Sequence, residues 1–237
     1  MPLASFLRGS VGRLYAESER LNLENMRAQM ALAKNPREVV DLGCGDGRAT
    51  QALVAGLFGA RVRGVEGYEP FRDAAAALGL DVLPGDLERS LPFLDDALDL
   101  VVSNQVIEHL ADTDAFMAEI YRVLRPGGLA VISTENMASW HNVAALVVGF
   151  QPFSSSNYSN RRYPLGNPMG LHAGENATVL DGMLHRRIFT TRALRELFAA
   201  HGFDVVDVRG SGYHPLPPRL GRLDPGHAHF ISVAGRK

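Results

Sequence analysis

Residues 37–48, REVVDLGCGDGR, join a short apolar run to glycines at alternate positions, and the fold is organised around them. The run Val39 to Leu42 predicts a buried β-strand that carries one acid, and a helical pattern begins at Ala49. Glycine permits a sharp turn and lets a ligand approach the backbone without meeting a Cβ atom. Strand, glycine turn and helix start together predict a site for an adenosine-containing ligand.

The glycine spacing and a neighbouring acid narrow the choice of ligand. Gly43, Gly45 and Gly47 follow G-x-G-x-G, whereas dinucleotide-binding proteins carry G-x-G-x-x-G. A pyrophosphate needs amide groups that converge on a helix N-terminus, and Asp46 puts a carboxylate in that turn. The carboxylate would repel pyrophosphate and tolerate a sulfonium cofactor. A nicotinamide-dependent dehydrogenase is therefore disfavoured by spacing and by charge.

Composition limits the class of protein. The chain has 237 residues, a net charge of −2 and a single cysteine, Cys44. This length predicts one large domain, or one domain with an insertion. The charge gives no global basic field, which disfavours a nucleic-acid partner and leaves a local basic patch open. No signal-peptide core is evident, and the apolar run 143–150 is too short to span a bilayer, so we expect a cytoplasmic protein without a membrane partner.

Strand and helix patterns alternate from residue 37 to residue 135. The segment 98–103 is almost entirely apolar, as in a parallel strand covered on both faces. This alternation predicts a parallel sheet with helices on both faces. The predicted strands are 39–42, 61–66, 81–83, 98–103, 129–134, 203–209 and 227–234, and the predicted helices are 11–34, 71–78, 112–124, 140–150 and 191–201, besides the helix that begins at Ala49.

Several segments in this order carry a family resemblance. They are the glycine segment, Glu66 after the second strand, Gly85-Asp86-Leu87, residues 99–110 (DLVVSNQVIEHL) and residues 124–128 (LRPGG). Together they resemble the class I S-adenosylmethionine (SAM)-dependent methyltransferases of the small-molecule type, and they are similar to the ubiquinone-type O-methyltransferases. The match covers residues 37–135 well and residues 188–235 more loosely.

The resemblance implies a fold and a division of the chain. The fold is a Rossmann-like three-layer α/β sandwich with a seven-stranded, mostly parallel sheet and an antiparallel last strand. The chain is then a single methyltransferase domain, 1–237. Within it we expect an N-terminal helix or lid (11–34), a cofactor-binding core (37–135), a substrate-binding insertion after the fifth strand (136–187) and the C-terminal part of the sheet (188–237).

The resemblance also implies SAM as cofactor and S-adenosylhomocysteine (SAH) as product. Glu66 lies about 20 residues beyond the glycines, where an acid accepts hydrogen bonds from both ribose hydroxyls. Asp86 would accept from the adenine amino group, and the Leu87 N–H would donate to a ring nitrogen. The expected cofactor-binding residues are Asp41, Gly43, Cys44, Gly45, Gly47, Glu66, Gly67, Asp86, Leu87 and Asn104.

Two residues of the first motif have alternative interpretations. Asp41 lies inside an apolar strand, so buried donors must match its charge. Backbone amides of the glycine turn or the amino group of the ligand would serve, and a purely structural bond to the turn is the alternative. Cys44 has no visible base partner, and we interpret it as a small packing residue beside the cofactor and not as a nucleophile.

The candidate catalytic residues are His109, His141 and His185. A hydroxyl acceptor needs a base or a metal to take its proton, and histidine suits that role. His109 follows the fourth strand at the ligand edge, and His141 follows the fifth. The residues do not distinguish which histidine acts.

A metal site is the alternative use of two of these histidines. Gln105, Glu108 and His109 resemble the Glu-x-x-Glu-His pattern of the ubiquinone-type O-methyltransferases and the small-RNA 2′-O-methyltransferases, with His185 as a distal ligand. Gln105 replaces the first glutamate, and the loss of an anionic ligand weakens a hard-cation site. We therefore expect no metal and keep Glu108, His109 and His185 as weak candidates. The other interpretation is that Glu108 and His109 begin a helix and pack locally.

The insertion is expected to select the substrate. Its aromatic and amide side chains suit a polyol, a sugar or a polyketide-like ring, and its arginines suit a phosphate or carboxylate, or are solvated charges. His172 is a further histidine of this segment. The first helix, through Tyr15, Arg20 and Arg27, is expected to cover the cofactor as a lid. The insertion residues concerned are Phe153, Asn157, Tyr158, Asn160, Arg161, Arg162, Tyr163, Arg186 and Arg187.

The sequence thus predicts an enzyme that transfers a methyl group from SAM to a small-molecule acceptor, with a hydroxyl favoured. The alternatives are an N-methyltransferase, an RNA 2′-O-methyltransferase and a non-catalytic SAM-binding module. The protein is expected to be a monomer or a homodimer.

Overall fold

The computed structural model describes residues 2–159, 166–168 and 181–237, and the described side chains begin at residue 12 and exclude residue 181. Seven strands form one sheet in the order β3-β2-β1-β4-β5-β7-β6. The strands are β1 Glu38–Leu42, β2 Arg61–Glu66, β3 Asp81–Pro84, β4 Leu98–Asn104, β5 Leu124–Glu135, β6 Asp204–Ser211 and β7 Phe230–Arg236.

Six α-helices flank the sheet in the described part of the chain. They are α1 Pro2–Met30, α2 Arg48–Val54, α3 Glu69–Ala77, α4 Thr113–Val123, α5 Trp140–Val147 and α6 Thr191–Ala200. Two helix starts have side-chain caps: Asp112 accepts a hydrogen bond from the Ala115 N–H at 2.9 Å, and Thr190 accepts from the Ala193 N–H at 3.2 Å. These caps satisfy amides that the first helical turn leaves without a partner.

The sheet has the mixed topology that the resemblance implied. β1 pairs in parallel with β2 and β4, β2 with β3, and β4 with β5, whereas β7 is antiparallel to both β5 and β6. The strand order reverses between β1 and β4, because the chain continues from β1 to a strand on one side of it and from β4 to a strand on the other side. Ligands of open α/β sheets bind beside the carboxyl ends of the strands at such a point.

The core lies on both faces of the sheet because neighbouring strand residues point to opposite sides. Val40 and Val101 pack on one face with Phe116 of α4 and Phe198 of α6. The opposite face holds a second cluster, in which side chains of α1 and α2 cover the strands. Its buried members are Met26, Met30, Val39, Leu53, Leu100, Val102, Leu129, Val131 and Ala234.

Helix α1 is also attached to the sheet by buried polar side chains. Asn25 donates to the Gly210 carbonyl at 3.0 Å, and Gln29 donates to the Ser232 carbonyl at 3.1 Å. Asn22 donates to Asn104 Oδ1 at 2.9 Å, and its own oxygen accepts from the Ser133 hydroxyl at 2.9 Å. These bonds fix which part of α1 lies above the ends of β4 and β5.

Several boundaries differ from the sequence-based expectations: α1 begins at Pro2 and not at 11, α5 ends at Val147 and not at 150, and β7 begins at Phe230 and not at 227. Helix α1 ends at Met30, before the predicted limit of 34. Strand β5 begins at Leu124, not at 129, because Leu124 already pairs with Leu98 of β4. The expectation that Glu108 and His109 begin a helix was wrong: they form a separate 3₁₀ turn, Ile107–His109, and α4 begins at Thr113, after its cap.

Among the described residues, no helix combines the length and apolar character needed to cross a membrane.

Candidate active site

A cavity of about 900 Å³ opens beside the carboxyl ends of β1, β2 and β4. Its walls come from the glycine turn, the segments after β2 and β3, the 3₁₀ turn after β4 and the segment before α6. The lining residues are Gly43, Gly45, Glu66, Gly67, Tyr68, Phe71, Arg72, Pro84, Gly85, Asp86, Leu87, Glu88, Gln105, Val106, His109, Leu110, Gly182, Met183 and Arg186.

The glycine turn is held by the neighbouring strand. The N–H groups of Gly43 and Cys44 donate to the Val65 carbonyl at 2.8 and 3.3 Å. Gly43 (φ +75°) and Gly45 (φ +53°) both adopt left-handed backbone. A Cβ atom on Gly43 would lie 2.5 Å from the Val106 side chain, whereas one on Gly45 would meet no protein atom within 4 Å. Gly43 therefore serves packing, and Gly45 leaves open space on the cavity side for a ligand.

Glu66 is fixed at the centre of the cavity wall. Its Oε2 accepts from the Gly45 N–H at 3.0 Å, and its Oε1 accepts from the Tyr68 N–H at 2.9 Å. Each carboxylate oxygen can accept more than one hydrogen bond, so both can still accept from a ligand. Two oxygens held side by side suit the vicinal hydroxyls of a ribose, which is the role predicted for Glu66.

Asp86 and Asp46 are held by short turns. Asp86 accepts from the Glu88 N–H at 3.0 Å and from Arg89 Nε at 3.2 Å, at the adenine end predicted for the site. Asp46 accepts from the Arg48 N–H at 3.1 Å, in the first turn of α2. The Asp46 carboxylate thus accepts from an amide that a pyrophosphate would need, in keeping with the predicted preference for a sulfonium ligand.

Asp41 has a partner that the sequence analysis did not name. Its Oδ2 accepts from the Thr50 hydroxyl of α2 at 2.6 Å, while the Gly43 and Cys44 amides donate to the Val65 carbonyl and the Gly45 amide donates to Glu66. Its Oδ1 is buried without a hydrogen-bond partner within the described part of the chain. Burial raises the pKa of Asp41 to about 7, against the lowering effect of the Thr50 hydrogen bond.

The remaining predicted cofactor residues lie behind the cavity wall. Cys44 is buried against Gly64, and burial raises the pKa of its thiol to about 12, as expected for a packing residue. Gly47 packs against Ala75 of α3, and Asn104 is bound to Asn22 of α1. Of the ten predicted residues, the cavity wall includes Gly43, Gly45, Glu66, Gly67, Asp86 and Leu87.

Glu108, His109 and His185 form a cluster although 75 residues separate the chain segments, since one potential ligand atom of each lies within 4.8 Å of the others. The backbone makes this approach possible, because the N–H groups of Arg186 and Arg187 donate to the Glu108 carbonyl at 2.7 and 3.1 Å. The segment 183–185 is also bound by Asn157, which donates to the Met183 carbonyl at 2.7 Å.

Both histidines of the cluster have one ring nitrogen occupied by a backbone carbonyl. His109 Nδ1 lies 3.2 Å from the Leu184 carbonyl, and His185 Nδ1 lies 2.6 Å from the Ser154 carbonyl. In the neutral ring this contact places the hydrogen on Nδ1 and leaves the Nε2 lone pair available. Burial, with the neighbouring His185, lowers the pKa of His109 to about 4, so that lone pair is available at neutral pH.

Glu108 completes the cluster. Its Oε2 accepts from the Thr134 hydroxyl at 2.8 Å, and burial raises its pKa to about 7. Two imidazole nitrogens and one carboxylate are a donor set that fits a divalent metal ion. Gln105 lines the cavity, and its Nε2 donates to Ser133 Oγ at 3.1 Å. The expectation that the protein works without a metal stays a prediction.

His141, the third predicted base, belongs to a different cluster. Its ring lies 4.5 Å from that of His229 and 5.5 Å from that of His214, while His214 Nε2 and His229 Nδ1 are 3.1 Å apart. Burial lowers the pKa of His141 to about 3, and it also lowers the pKa of His214 and of His229. These neutral, mutually packed rings are a polar part of the core beside α1.

Of the residues predicted to select the substrate, the structure places some in the cavity wall and others away from it. Arg186 lines the cavity, while Arg187 donates through Nε to the Ala111 carbonyl at 3.0 Å. Phe153 packs against His141, and Tyr158 is exposed. Asn160, Arg161, Arg162, Tyr163 and His172 lie outside the described residues.

The three residues of α1 that were expected to form a lid make contacts in different parts of the structure. Tyr15 packs against His229 and Phe230 near the carboxyl edge of the sheet. Arg20 pairs with Glu24, and Arg27 donates to the Ala55 carbonyl at 3.0 Å. Tyr15 is thus the member of this trio that lies near the cluster of Glu108, His109 and His185.

Sequence reasoning missed Tyr68, Phe71 and Glu135. Tyr68 and Phe71 line the cavity after β2, with their rings 5.1 Å apart and nearly perpendicular. Glu135 is the last residue of β5, and its Oε2 lies 4.0 Å from His185 Nδ1. A usable signal existed, since polar and aromatic residues directly after parallel strands meet at the ligand edge of the sheet.

The fold and this site are those of the SAM-binding α/β enzymes. Loops that carry acidic residues follow β1, β2 and β3, and the Asp46 carboxylate lies just before α2, where it would repel a phosphate. Comparison with known proteins supports the class. Residues 40–132 match the family model described as a methyltransferase domain. A crystal structure of a SAM-dependent methyltransferase from Thermotoga maritima, titled a possible histamine N-methyltransferase, superimposes with a TM-score of 0.62 at 21% identity, and the match covers 97% of this chain and 95% of that one.

Curated relatives give the family. A ubiquinone biosynthesis O-methyltransferase of a Methylobacterium species is 30% identical over 84% of this chain and 72% of its own length. A probable SAM-dependent methyltransferase of Mycolicibacterium smegmatis is 33% identical over 84% of this chain, and the match spans 63% of that protein. The chain belongs to the SAM-dependent methyltransferases, enzymes that use SAM as the methyl donor.

Proposed function

We propose that this enzyme transfers the methyl group of SAM to a hydroxyl group of a small molecule. The observation that carries the proposal is the position of His109. It lines the same cavity as Gly45 and Glu66, and its Nδ1 contact with Leu184 leaves Nε2 available. A neutral imidazole beside the acceptor can take the proton that a hydroxyl must lose.

The donor half of the cavity has the features that SAM requires. Gly45 leaves space on the cavity side, Glu66 offers two fixed oxygens to a ribose, and Asp86 stands at the adenine end. When bound there, SAM supplies an activated methyl group and a thioether leaving group. We assign the remaining work to the chain itself, which holds the two reactants in line and excludes water.

The proton balance assigns the roles in the other half. As the new carbon–oxygen bond forms, the hydroxyl proton passes to His109 Nε2, and the electron pair of the broken carbon–sulfur bond remains on sulfur in SAH. His185 and Glu108 then act as positioning residues for His109. His141 is a weaker candidate for the base, since its ring packs with His214 and His229.

N-methylation is the second candidate, and the carboxylates around the cluster favour it. Glu108 and Glu135 both lie close to His185, and carboxylates suit an amine acceptor. The Thermotoga protein bears a title that names an amine substrate. RNA 2′-O-methylation is disfavoured, because the net charge of −2 and these carboxylates would repel a phosphate backbone.

We further propose the division of the chain that its sequence predicts. Residues 37–135 bind the cofactor, residues 136–187 contribute to acceptor selection, and α1 covers the site through the neighbourhood of Tyr15. The protein acts in the cytoplasm as a monomer or a homodimer, on a small-molecule acceptor and without nucleic acid.

Product analysis tests the proposal. The purified protein would be incubated with methyl-labelled SAM and matched phenols, alcohols and amines, and the site of the label in each product would be identified. Label on oxygen is the expected result, and label on nitrogen alone would establish the second candidate. Binding of SAH without any labelled product would favour a non-catalytic module. Loss of turnover with a chelator, restored by a divalent ion, would overturn the expectation of a metal-free reaction.

A further inference from the structure

Glu135 carries a buried carboxylate oxygen that the fold leaves without a hydrogen bond. Its side chain is 13% exposed, and Oε2 has no hydrogen-bond partner in the part of the chain that the structure describes. The nearest ionisable group is His185, whose Nδ1 is 4.0 Å away and already contacts the Ser154 carbonyl at 2.6 Å. Burying such a group without a donor is costly, so a carboxylate in this state is a place where a donor of a bound ligand would be stabilised.

The position of Glu135 points to the reaction site as the source of that partner. It ends β5 at the carboxyl edge of the sheet, directly after Thr134, which holds the Glu108 side chain at 2.8 Å. Its backbone pairs with Phe230 of β7, against which the Tyr15 ring packs. Glu135 therefore lies close both to His185 and to Tyr15 of α1, whose pKa is raised by burial and by the Glu135 carboxylate.

The histidine and glutamate side chains of this region share one property, which is that they can accept hydrogen bonds. The Tyr15 hydroxyl is a donor, and it is close enough to Glu135 for the carboxylate to add to the effect of burial in raising the pKa of Tyr15. The Nδ1 atoms of His109 and His185 contact the Leu184 and Ser154 carbonyls, so the Nε2 lone pair of each ring can accept a hydrogen bond. Glu108 and Glu135 add carboxyl oxygens. A site that offers acceptors selects a ligand that brings donors.

We propose that Glu135 is a specificity-determining residue that binds a second hydrogen-bond donor of the methyl acceptor, a hydroxyl or an ammonium group next to the atom that is methylated. The reacting hydroxyl faces His109, and the neighbouring donor faces Glu135. The proposal deepens the proposed function and rests on it, since it assigns an acceptor class to the same site: diols and amino alcohols in preference to acceptors with a single donor.

The test separates binding from turnover. Glu135→Gln removes the charge at constant size, and Glu196→Gln, on the exposed face of α6, is the matched control. Binding of an unreactive diol, an amino alcohol and a single-donor analogue to the SAH complex would be measured by calorimetry. Because a hydrogen bond to a charged group is lost, we expect Glu135→Gln to weaken the first two by about tenfold to a hundredfold. SAH affinity and single-donor binding are expected to stay unchanged in both variants.

Three results would overturn the proposal. One is equal weakening of single-donor binding, which would make Glu135 a general wall of the site. Another is a lowered melting temperature with unchanged binding, since a buried charge without a partner is expected to leave stability equal or higher when it is removed. The third is binding of Mg²⁺, Mn²⁺ or Zn²⁺ that is lost in Glu135→Gln, with diol binding that depends on that ion, which would make Glu135 a metal ligand.

These outcomes are distinct from a failure of the proposed function. If the wild-type protein bound diols through Glu135 and labelled nitrogen in the product analysis, the hydroxyl assignment would fail and the role of Glu135 would stand. If it labelled oxygen in single-donor phenols and bound all analogues alike, the methylation assignment would stand and the role of Glu135 would fail.

Discussion

The hydrogen bonds that hold the two halves of the cavity differ in the number of residues that separate donor and acceptor along the chain. In the donor half, Glu66 binds the Tyr68 and Gly45 amides, and Asp86 binds the Glu88 amide. In the acceptor half, His109 meets Leu184, 75 residues away, and the Arg186 amide meets the Glu108 carbonyl. The bonds of the donor half thus span 2 to 21 residues and join short turns to the ends of two paired strands, whereas the acceptor half exists only when segments about 75 residues apart pack together. Perturbing one half at a time should separate catalysis, donor binding and stability.

The largest effect is expected from His109→Gln in the acceptor half. Loss of a general base lowers kcat by about 10²- to 10⁴-fold, while the affinity for SAH should be unchanged because the donor half is untouched. Steady-state kinetics with a labelled methyl donor and SAH calorimetry measure the two quantities. His201→Gln, at the end of α6, is the control. A variant that keeps full turnover would remove His109 from the mechanism.

A pair of glycine substitutions divides the donor half into packing and binding. Gly43→Ala places a Cβ atom 2.5 Å from the Val106 side chain, so we expect a loss of about 2–4 kcal/mol in the free energy of unfolding. Gly45→Ala meets open space and should cost about 1–2 kcal/mol, from its left-handed backbone, but weaken SAH binding.

Denaturant unfolding and SAH calorimetry on both variants check this pair. Each serves as the control for the other, because the same methyl group is added two residues apart. Equal losses of stability with equal SAH affinities would contradict the assignment of Gly45 to the ligand.

Glu66→Gln tests the donor half through a side chain. The amide keeps the size of the carboxylate but loses its charge and one acceptor, so we expect the Kd for SAH to rise by about tenfold to a hundredfold. Glu69→Gln, exposed in the first turn of α3, is the matched control. Turnover at saturating SAM should recover for Glu66→Gln, in contrast with His109→Gln. An unchanged Kd would show that Glu66 does not bind the ribose.

A pH dependence of stability is expected from the separate buried cluster of His141, His214 and His229. Burial lowers the pKa of His141 to about 3, so below its ordinary value of 6.5 the unfolded chain binds a proton that the folded chain excludes. Stability is therefore complete above pH 6.5 and is lost as the pH falls toward 3, with a slope of up to about 1.4 kcal/mol per pH unit.

Comparison with His141→Asn isolates this contribution, since Asp41 and Glu108 titrate in both proteins. Urea unfolding from pH 8 to pH 4 should give curves that are parallel above pH 7 and converge or cross below pH 6. Curves that stay parallel over the whole range would show that His141 is protonated equally in the folded and unfolded chain.

The sequence predicted best those parts of the structure that depend on contacts between residues close in the chain. Strand β2 and the start of α2 agree with their patterns because glycine, alternating apolar residues and short turns act locally. Strand β5 was misjudged at its start because its pairing with Leu98 is a tertiary contact. The Thr50 hydroxyl was missed as a partner of Asp41 for a similar reason, since it reaches Asp41 only after α2 packs on β1.

The sequence by itself determined the sheet class and the family, and it predicted a SAM-type donor site with the acids Glu66 and Asp86. The bonds that hold these acids span 2 to 21 residues, and the longest, from Gly45 to Glu66, joins the turn after β1 to the end of its paired strand β2. The tertiary structure alone decided that His109 and His185 converge on Glu108, that His141 belongs to a separate buried cluster and that one Glu135 oxygen has no hydrogen-bond partner among the described residues. Those relations depend on segments far apart in the chain, and burial and distance are fixed only when the segments pack.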